Sequence, residues 1–568
     1  MQDSNLKMQQ EIIDKVLKKS EGSFLYAAEI VKAVELGRFN LKDVDNFPVG
    51  LTNIYLSYFE RMFIKDTTYD YKKDIRPIME ILAVCYEPQT DGTIIEMLNL
   101  DEYDFEDIKN YIYVLFPSER GCIEPLHKSL IDWIVDRNLS GNFFVNEKAA
   151  HTRMVNYYYE IFSAGKDNEY VTKYLAKHML KSKRPEDAVE ILTSMDIQKT
   201  RIRLIGQDSA IREYLTENQM LKEYNMLLAT DVLRSDTFKY IFVENRRYFY
   251  NAGLYFELKD LGFDEVIEEY KQIDSLEILA GCVNYYYINE QYEKSENLAC
   301  DIVKRYNIPE NYSIITEIEL SCRKLVRFDD ALQRCKIICE VTGASCHDFY
   351  EVALAHQTIG KVYYHRCQWK EAYKELCTAV RLLEDSLLMT GDADYSKMLK
   401  LYVAAFEREV ALSLVWQKKT ELAEQHLAHA GDIYNEIKST DRYYIRYLYV
   451  GMFADAVNGN FVKIKEIYPN LLKIAKSNYD KSQLECYYAM AMFWCHDRDA
   501  AIEHILQAEN FVDKIDAVLE KHEIRLLKKM IMDENIVSED FEVENEDIAK
   551  WLIFVQQFII EVMEGIRE

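Results

Sequence analysis

Residues 358–380 read TIGKVYYHRCQWKEAYKELCTAV. Gly360 and Tyr363 belong to a first helix, and Ala372, Leu376 and Ala379 to a second. Small side chains at Gly360, Ala372 and Ala379 let the two helices cross closely, while Tyr363 and Leu376 fill the space around the crossing.

Sliding this template along the chain gives further matches. Ala411, Ala423, Leu427 and Ala430 form one, and Ala489, Ala501, Ile505 and Ala508 another. Phe328, Ala331 and Cys335 form a weaker one, and Tyr292, Ser295 and Ala299 a weaker one still. The position of Ala372 recurs at 295, 331, 372, 423, 464 and 501, with Ile464 bulky for a close crossing. The intervals of 36, 41, 51, 41 and 37 residues exceed the ~34 of a tetratricopeptide unit. The pattern resembles elongated, irregular tetratricopeptide repeats and predicts a curved α-solenoid. The last segment, EDIAKWLIFVQQFIIEVMEGI, is apolar on more than one face and is expected to pack on the preceding repeat as a cap.

Composition agrees with an all-α chain. In 568 residues there are 18 glycines and 8 prolines, few enough for long helices joined by short turns. The formal charge of −27 repels phosphate backbones and anionic lipid surfaces, so neither nucleic acid nor membrane is an expected partner. The same charge predicts a neutral or basic protein partner. Twelve cysteines lie singly, without paired spacing, and MQDSNLKMQQ has no apolar signal segment, which together predict reduced thiols and a cytoplasmic location.

The texture of the chain divides it. Residues 1–70 carry two helical patterns around a loop with Pro48 and Gly50. Residues 71–150 hold shorter elements in the order helix (Ile75 to Tyr86), helix (Asp91 to Leu98), helix (Phe105 to Leu115) and hairpin (VLFPSERGCIEPL), the order of a winged-helix unit. Residues 151–275 read as a helical linker with early irregular repeats, 276–535 as the tetratricopeptide-like repeats, and 536–568 as the capping helix.

KSEGSFLYAAEIVKAV, FPVGLTNIYLSYFERM and the unit ending in LHKSLIDWI together resemble the region downstream of the nucleotide-binding domain in STAND ATPases of the NACHT type. In that family an NTPase core is followed by a helical domain, a winged helix and a repeat array that senses a ligand. The resemblance covers residues 1–150 by motif and the rest by architecture. It implies that His127 contacts the β-phosphate of ADP, although Leu126 and Lys128 replace the Met and Asp of the family's Met-His-Asp-like motif. The competing reading of His127 is a helix cap. It also implies oligomerisation on activation and, in bacteria, defence against viral proteins. No GxxxxGK[ST] occurs, and neither Gly165-Lys166 nor Gly360-Lys361 has the flanking residues of a phosphate loop. The chain alone is therefore expected to be no enzyme and to hold no cofactor, with ADP or ATP bound only through an upstream core.

Other constellations carry less. His426 and His429 are three apart on a helix, a spacing that can serve a metal, but no carboxylate or cysteine at a suitable offset in sequence completes a set. There are 42 tyrosines, with clusters at NYYYE, NYYYIN and DRYYIRYLYVG, and several of them fall in first helices. Of these, Tyr285, Tyr286, Tyr363, Tyr364, Tyr443, Tyr444 and Tyr447 are candidates for a protein-recognition surface, since tyrosine supplies contact area with a polar tip at low entropic cost. The leading reading is a ligand-sensing region of a STAND-type NTPase that recognises a protein. The alternative is a freestanding tetratricopeptide scaffold.

Overall fold

The computed structural model describes residues 2–20, 22–35, 40, 44–45, 47–66, 68–307, 314–341, 346–438, 442–532 and 543–567. They form two compact units, Met1–Val232 and Leu233–Glu568. The fold is all-α, with one two-stranded hairpin among the described residues.

In the first unit the helices begin where short polar side chains cap them. Thr90 accepts from the Thr93 N–H, Asp101 from Tyr103 and Asp104, Asn146 from Ala149 and Asn168 from Val171. The elements Arg76–Val84, Asp91–Leu98, Glu102–Ile112 and the hairpin Ser118–Glu119 with Cys122–Ile123 follow the expected order. Thr90 adds an isolated bridge to Cys122, tying the second helix to the hairpin. Below them Phe59 packs at 4.9 Å from Trp133 and 5.2 Å from Phe143, and the Tyr71 hydroxyl donates to the Phe143 carbonyl. Deeper in the unit, Arg201 and Glu217 form a fully buried pair at 2.6 Å, and Arg201 Nε also donates to the Thr172 carbonyl.

The second unit contains the solenoid. Six consecutive helix pairs run Leu276–Ile288 with Tyr292–Tyr306, Ile314–Lys324 with Phe328–Val341, Cys346–His365 with Trp369–Met389, Ala393–Val415 with Thr420–Ile437, Arg442–Val457 with Phe461–Ile474, and Asn478–Trp494 with Arg498–Val512. Positions 295, 331, 372, 423, 464 and 501 all have zero exposure. The crossing is therefore shared by all six pairs, and Ile464 is accommodated in it as fully as the alanines are.

The array curls until its two ends meet. The Glu290 carboxylate accepts from the Tyr479 N–H at 2.7 Å, and the Glu290 carbonyl from the Asp516 N–H. Lys324 pairs with Glu520, on the following helix Val518–Met532, at 2.5 Å.

The last helix, Glu546–Arg567, does more than seal its neighbour. Trp551 lies 5.0 Å from Tyr364 and 5.4 Å from Trp416, Phe558 lies 4.7 Å from Trp416, and Trp494 Nε1 donates to the Ile559 carbonyl. Arg366–Asp547 and Lys418–Glu561 pin its two ends. An apolar helix covered on several faces is stable only when buried on several faces, and this one spans the third, fourth and sixth pairs.

The close crossing is testable at Gly360. An added Cβ would sit 2.8 Å from Leu376 Cγ and 3.1 Å from the Leu376 backbone nitrogen, whereas one added at Gly391 meets nothing within 4 Å. Gly360→Ala should lose about 1–3 kcal/mol through overpacking, and Gly391→Ala should be near neutral in urea denaturation. Equal losses would refute the crossing.

Candidate functional site

His127 stands at the start of helix Lys128–Val135 as its N-cap, with extended backbone angles of −158° and 148°. Its Nδ1 accepts from the Ser129 N–H at 3.1 Å, and Ser129 Oγ in turn meets Tyr55 Oη at 2.8 Å. An accepting Nδ1 places the proton of a neutral ring on Nε2. The residue is exposed, and the cap holds the ring's position.

The recognition tyrosines divide by burial. Tyr285, Tyr286, Tyr364 and Tyr443 are buried. The Tyr285 and Tyr286 hydroxyls donate to Asp264 and Glu268, and Tyr364 is covered by Trp551. Tyr363, Tyr444 and Tyr447 are half-buried, and Tyr444 and Tyr447 pack against Tyr434 on the second helix of the preceding pair. Only Tyr443 of the seven lines the principal groove of the unit.

That groove is built from the first helices, together with helix Arg246–Ala252. Helix Cys346–His365 presents Tyr350, Leu354, Gln357 and Lys361; Ala393–Val415 presents Tyr402, Ala405 and Glu409; Arg442–Val457 presents Tyr443 and Arg446. These are i, i+3 and i+4 stripes, one face of each helix. Lys361 and Tyr363 are two residues apart and so point to different faces, which is why the tyrosine cluster missed the groove that the neighbouring lysine enters. The groove encloses about 1080 Å³, including space open to solvent, and continues into a second recess through Tyr287, Arg323, Lys361, Arg408, Glu409 and Arg446.

Its charge differs from that of the chain. Arg246, Arg247, Arg323, Lys324, Lys361, Arg408 and Arg446 line the two recesses, against Glu290, Glu351, Glu409 and Asp480. Lys361 and Arg408 share the single carboxylate of Glu409, at 2.7 and 2.6 Å, and Arg446 pairs with Asp480 at 2.7 Å. Burial pushes the Glu409 carboxyl up, but the Arg408 guanidinium and the Lys361 ammonium outweigh it and hold the group well below the usual carboxylate range. Burial raises Glu290 to about 7, despite its bond from the Tyr479 backbone. The acidic excess of the whole chain therefore does not describe this surface, and an expectation about partners drawn from −27 alone does not extend to it.

His426 and His429 meet a carboxylate after all. Glu407, from the preceding helix, accepts from or bonds to both Nδ1 atoms at 2.5 and 2.8 Å. No cluster of three or more metal-binding side chains occurs among the described residues. Instead the contact repeats: His356 with Glu375, Glu407 with His426, and Glu485 with His504 each join the two helices of one hairpin nineteen residues apart. At the equivalent positions the first pair has Leu279 and Leu298, and the fifth Leu448 and Ile467. A spacing of nineteen between histidine and glutamate was the sequence signal for this contact.

The family model described as the APAF-1 helical domain matches residues 148–246, less than half of the chain. No curated protein matches the chain significantly. Among solved structures, a STAND protein with a tetratricopeptide repeat sensor, PH0952 from Pyrococcus horikoshii, is similar at 14% identity and a TM-score of 0.28, covering 88% of this chain and 73% of that one. The APC/C hetero-tetramer Cut9–Hcn1 gives 10% identity, a TM-score of 0.26 and coverage of 78% and 96%. The human IFIT1 dimer with PPP-AAAA gives 12%, 0.26, and 80% and 98%. Superpositions of this quality carry no argument about this chain.

The His356–Glu375 contact has a pH signature. Burial lowers the His356 pKa, but contacts with Cys339 and Glu375 outweigh it and raise it to about 9 from 6.5. A raised histidine pKa gives stability that is fully present below about pH 6.5 and is lost as pH rises through about 9. His356→Gln should flatten the fall in denaturation midpoint across that window. An unchanged slope would show that the pair is not coupled to folding.

Proposed function

We propose that this chain is the ligand-sensing and regulatory region of a STAND-type NTPase of the NACHT type, with His127 reporting on ADP bound by a core elsewhere in the protein. The observation that carries this reading is positional. The match to the APAF-1 helical domain, residues 148–246, follows directly on the segment that resembles a winged helix and ends near His127. This is where the architecture of the family passes from switch to sensor. The capping contact at Nδ1 supports the role, since it leaves Nε2–H of an exposed ring as a donor for a phosphate oxygen.

The all-α repeat array supports recognition of a protein, with Tyr363, Tyr444 and Tyr447 as the partly exposed candidates from the sequence. The bacterial antiviral setting, the cytoplasmic location and oligomerisation on activation belong to the same proposal. No helix among the described residues is long and apolar enough to cross a membrane.

Capping and nucleotide contact can be separated by substitution in a protein that carries the NTPase core. His127→Asn keeps a good N-cap but shortens the side chain, whereas His127→Ala loses both and about 1 kcal/mol of stability. Both variants should release ADP faster, on the order of tenfold or more for one lost hydrogen bond to a charged group. An unchanged ADP release rate in His127→Asn would leave the residue as a cap alone.

A further inference from the structure

The interior groove of the second unit contains a buried charge without an ion-pair partner among the described residues. Arg323, near the end of helix Ile314–Lys324, is only 6% exposed and lines both recesses. Its Nε is buried without a hydrogen-bond partner among the described residues, and no carboxylate pairs with its guanidinium there. Its neighbours make matters worse. Lys324 and Lys361 are close enough for Arg323 to act on both as a like charge, and the carboxylate whose ionised form it helps to stabilise, Glu409, is already shared by Lys361 and Arg408. Across the groove Arg246 and Arg247 are also without an ion-pair partner among the described residues. A buried, unpaired cation costs several kcal/mol. The buried Arg323, the half-buried Arg246 and the exposed Arg247 thus give this groove three guanidiniums without an ion-pair partner among the described residues.

We propose that this groove binds a compact polyanion carrying linked phosphoryl groups, with Arg323 as its buried anchor and Arg246 and Arg247 as the outer contacts. The number of donors sets how many acceptor oxygens the ligand brings. Each guanidinium offers a planar fork that matches two oxygens of a phosphoryl or carboxylate group. A single carboxylate has two oxygens and satisfies one fork; a diphosphate has enough for three. Size and charge set the other limits. Side chains of six helices line the recess, which suits a compact ligand rather than a long chain, and the excess of cations in that lining suits an anion. Tyr250 and Tyr287, stacked with their planes 9° apart, border the cations and supply an apolar wall. This inference stands on the groove alone and does not depend on whether an NTPase core precedes the chain.

The test is calorimetric titration of the full chain with inorganic pyrophosphate, and with ADP as a diphosphate carried on a larger molecule. Citrate serves as a polycarboxylate control. Pyrophosphate or ADP should bind with micromolar affinity, and the ratio of the two reports whether the diphosphate is recognised free or attached. Arg323→Met should weaken both at least tenfold while raising the thermal midpoint without ligand, because it removes an unpaired buried charge. Should that variant fail to fold, Arg246→Ala with Arg247→Ala, at less buried positions, should still weaken both probes. No binding of either phosphate at millimolar concentration, citrate binding as tightly as pyrophosphate, or unchanged affinity in both variants would overturn the assignment.

Discussion

The close crossing within each helix pair is the constraint on which the second unit depends. At six successive positions the second helix brings a residue of zero exposure against the first. An added methyl at Gly360 would meet a backbone atom and not only a movable side chain. With the crossing fixed, the rotation of every first helix is fixed too. That rotation turns Tyr350, Leu354, Gln357 and Lys361 to the interior, with Tyr402, Ala405 and Glu409 beside them. The interior groove is thus a consequence of packing on the opposite side of the same helices. Histidine–glutamate contacts at three crossings, and leucine and isoleucine at two others, fill the same place by different means.

The interior created in this way is shared between two kinds of filling. One part is closed by the last helix, whose Trp551, Phe554 and Phe558 interleave with Trp369, Trp416 and Trp494. The other part is lined by cations and a smaller set of carboxylates. Buried ion pairs add little to stability by forming, since desolvation offsets attraction, but breaking one leaves an uncompensated charge that costs about 3–5 kcal/mol. Glu409 occupies the pivotal place because two cations depend on it. The unpaired Arg323 beside them is consistent with a surface kept for a ligand at the expense of stability.

Much of the fold was legible in the sequence. The recurrence of small residues at one position of the second helix located all six crossings, including the weak matches at Ser295 and Ile464, because close approach tolerates few side chains and leaves a clear mark. The helix order from Arg76 to Ile123 was legible through caps, prolines and a short polar turn. The interior groove was not. Tyrosine clusters drew the eye to Tyr285, Tyr286, Tyr363 and Tyr364, yet side chains two residues apart on a helix face different ways, and the decisive angle comes from the partner helix. The stripe from Tyr350 to Lys361 was present in the sequence at i, i+4 spacing, mixed in polarity and hence easily read as an ordinary surface. For the last helix, apolar residues on several faces announced burial without saying against what. His127 was read both as cap and as phosphate contact; the cap is visible in its bond from Ser129.

The crossings hold a charge-unbalanced interior in which Glu409 is the common counter-ion of Lys361 and Arg408. Urea denaturation of Glu409→Gln at neutral pH, beside the exposed control Glu564→Gln, tests it most directly. The account predicts a loss of about 3–5 kcal/mol for Glu409→Gln, as expected when a buried pair loses one partner, and less than about 0.5 kcal/mol for the control. A loss at Glu409 no greater than at Glu564 would mean that the interior cations are solvated, and would contradict the account.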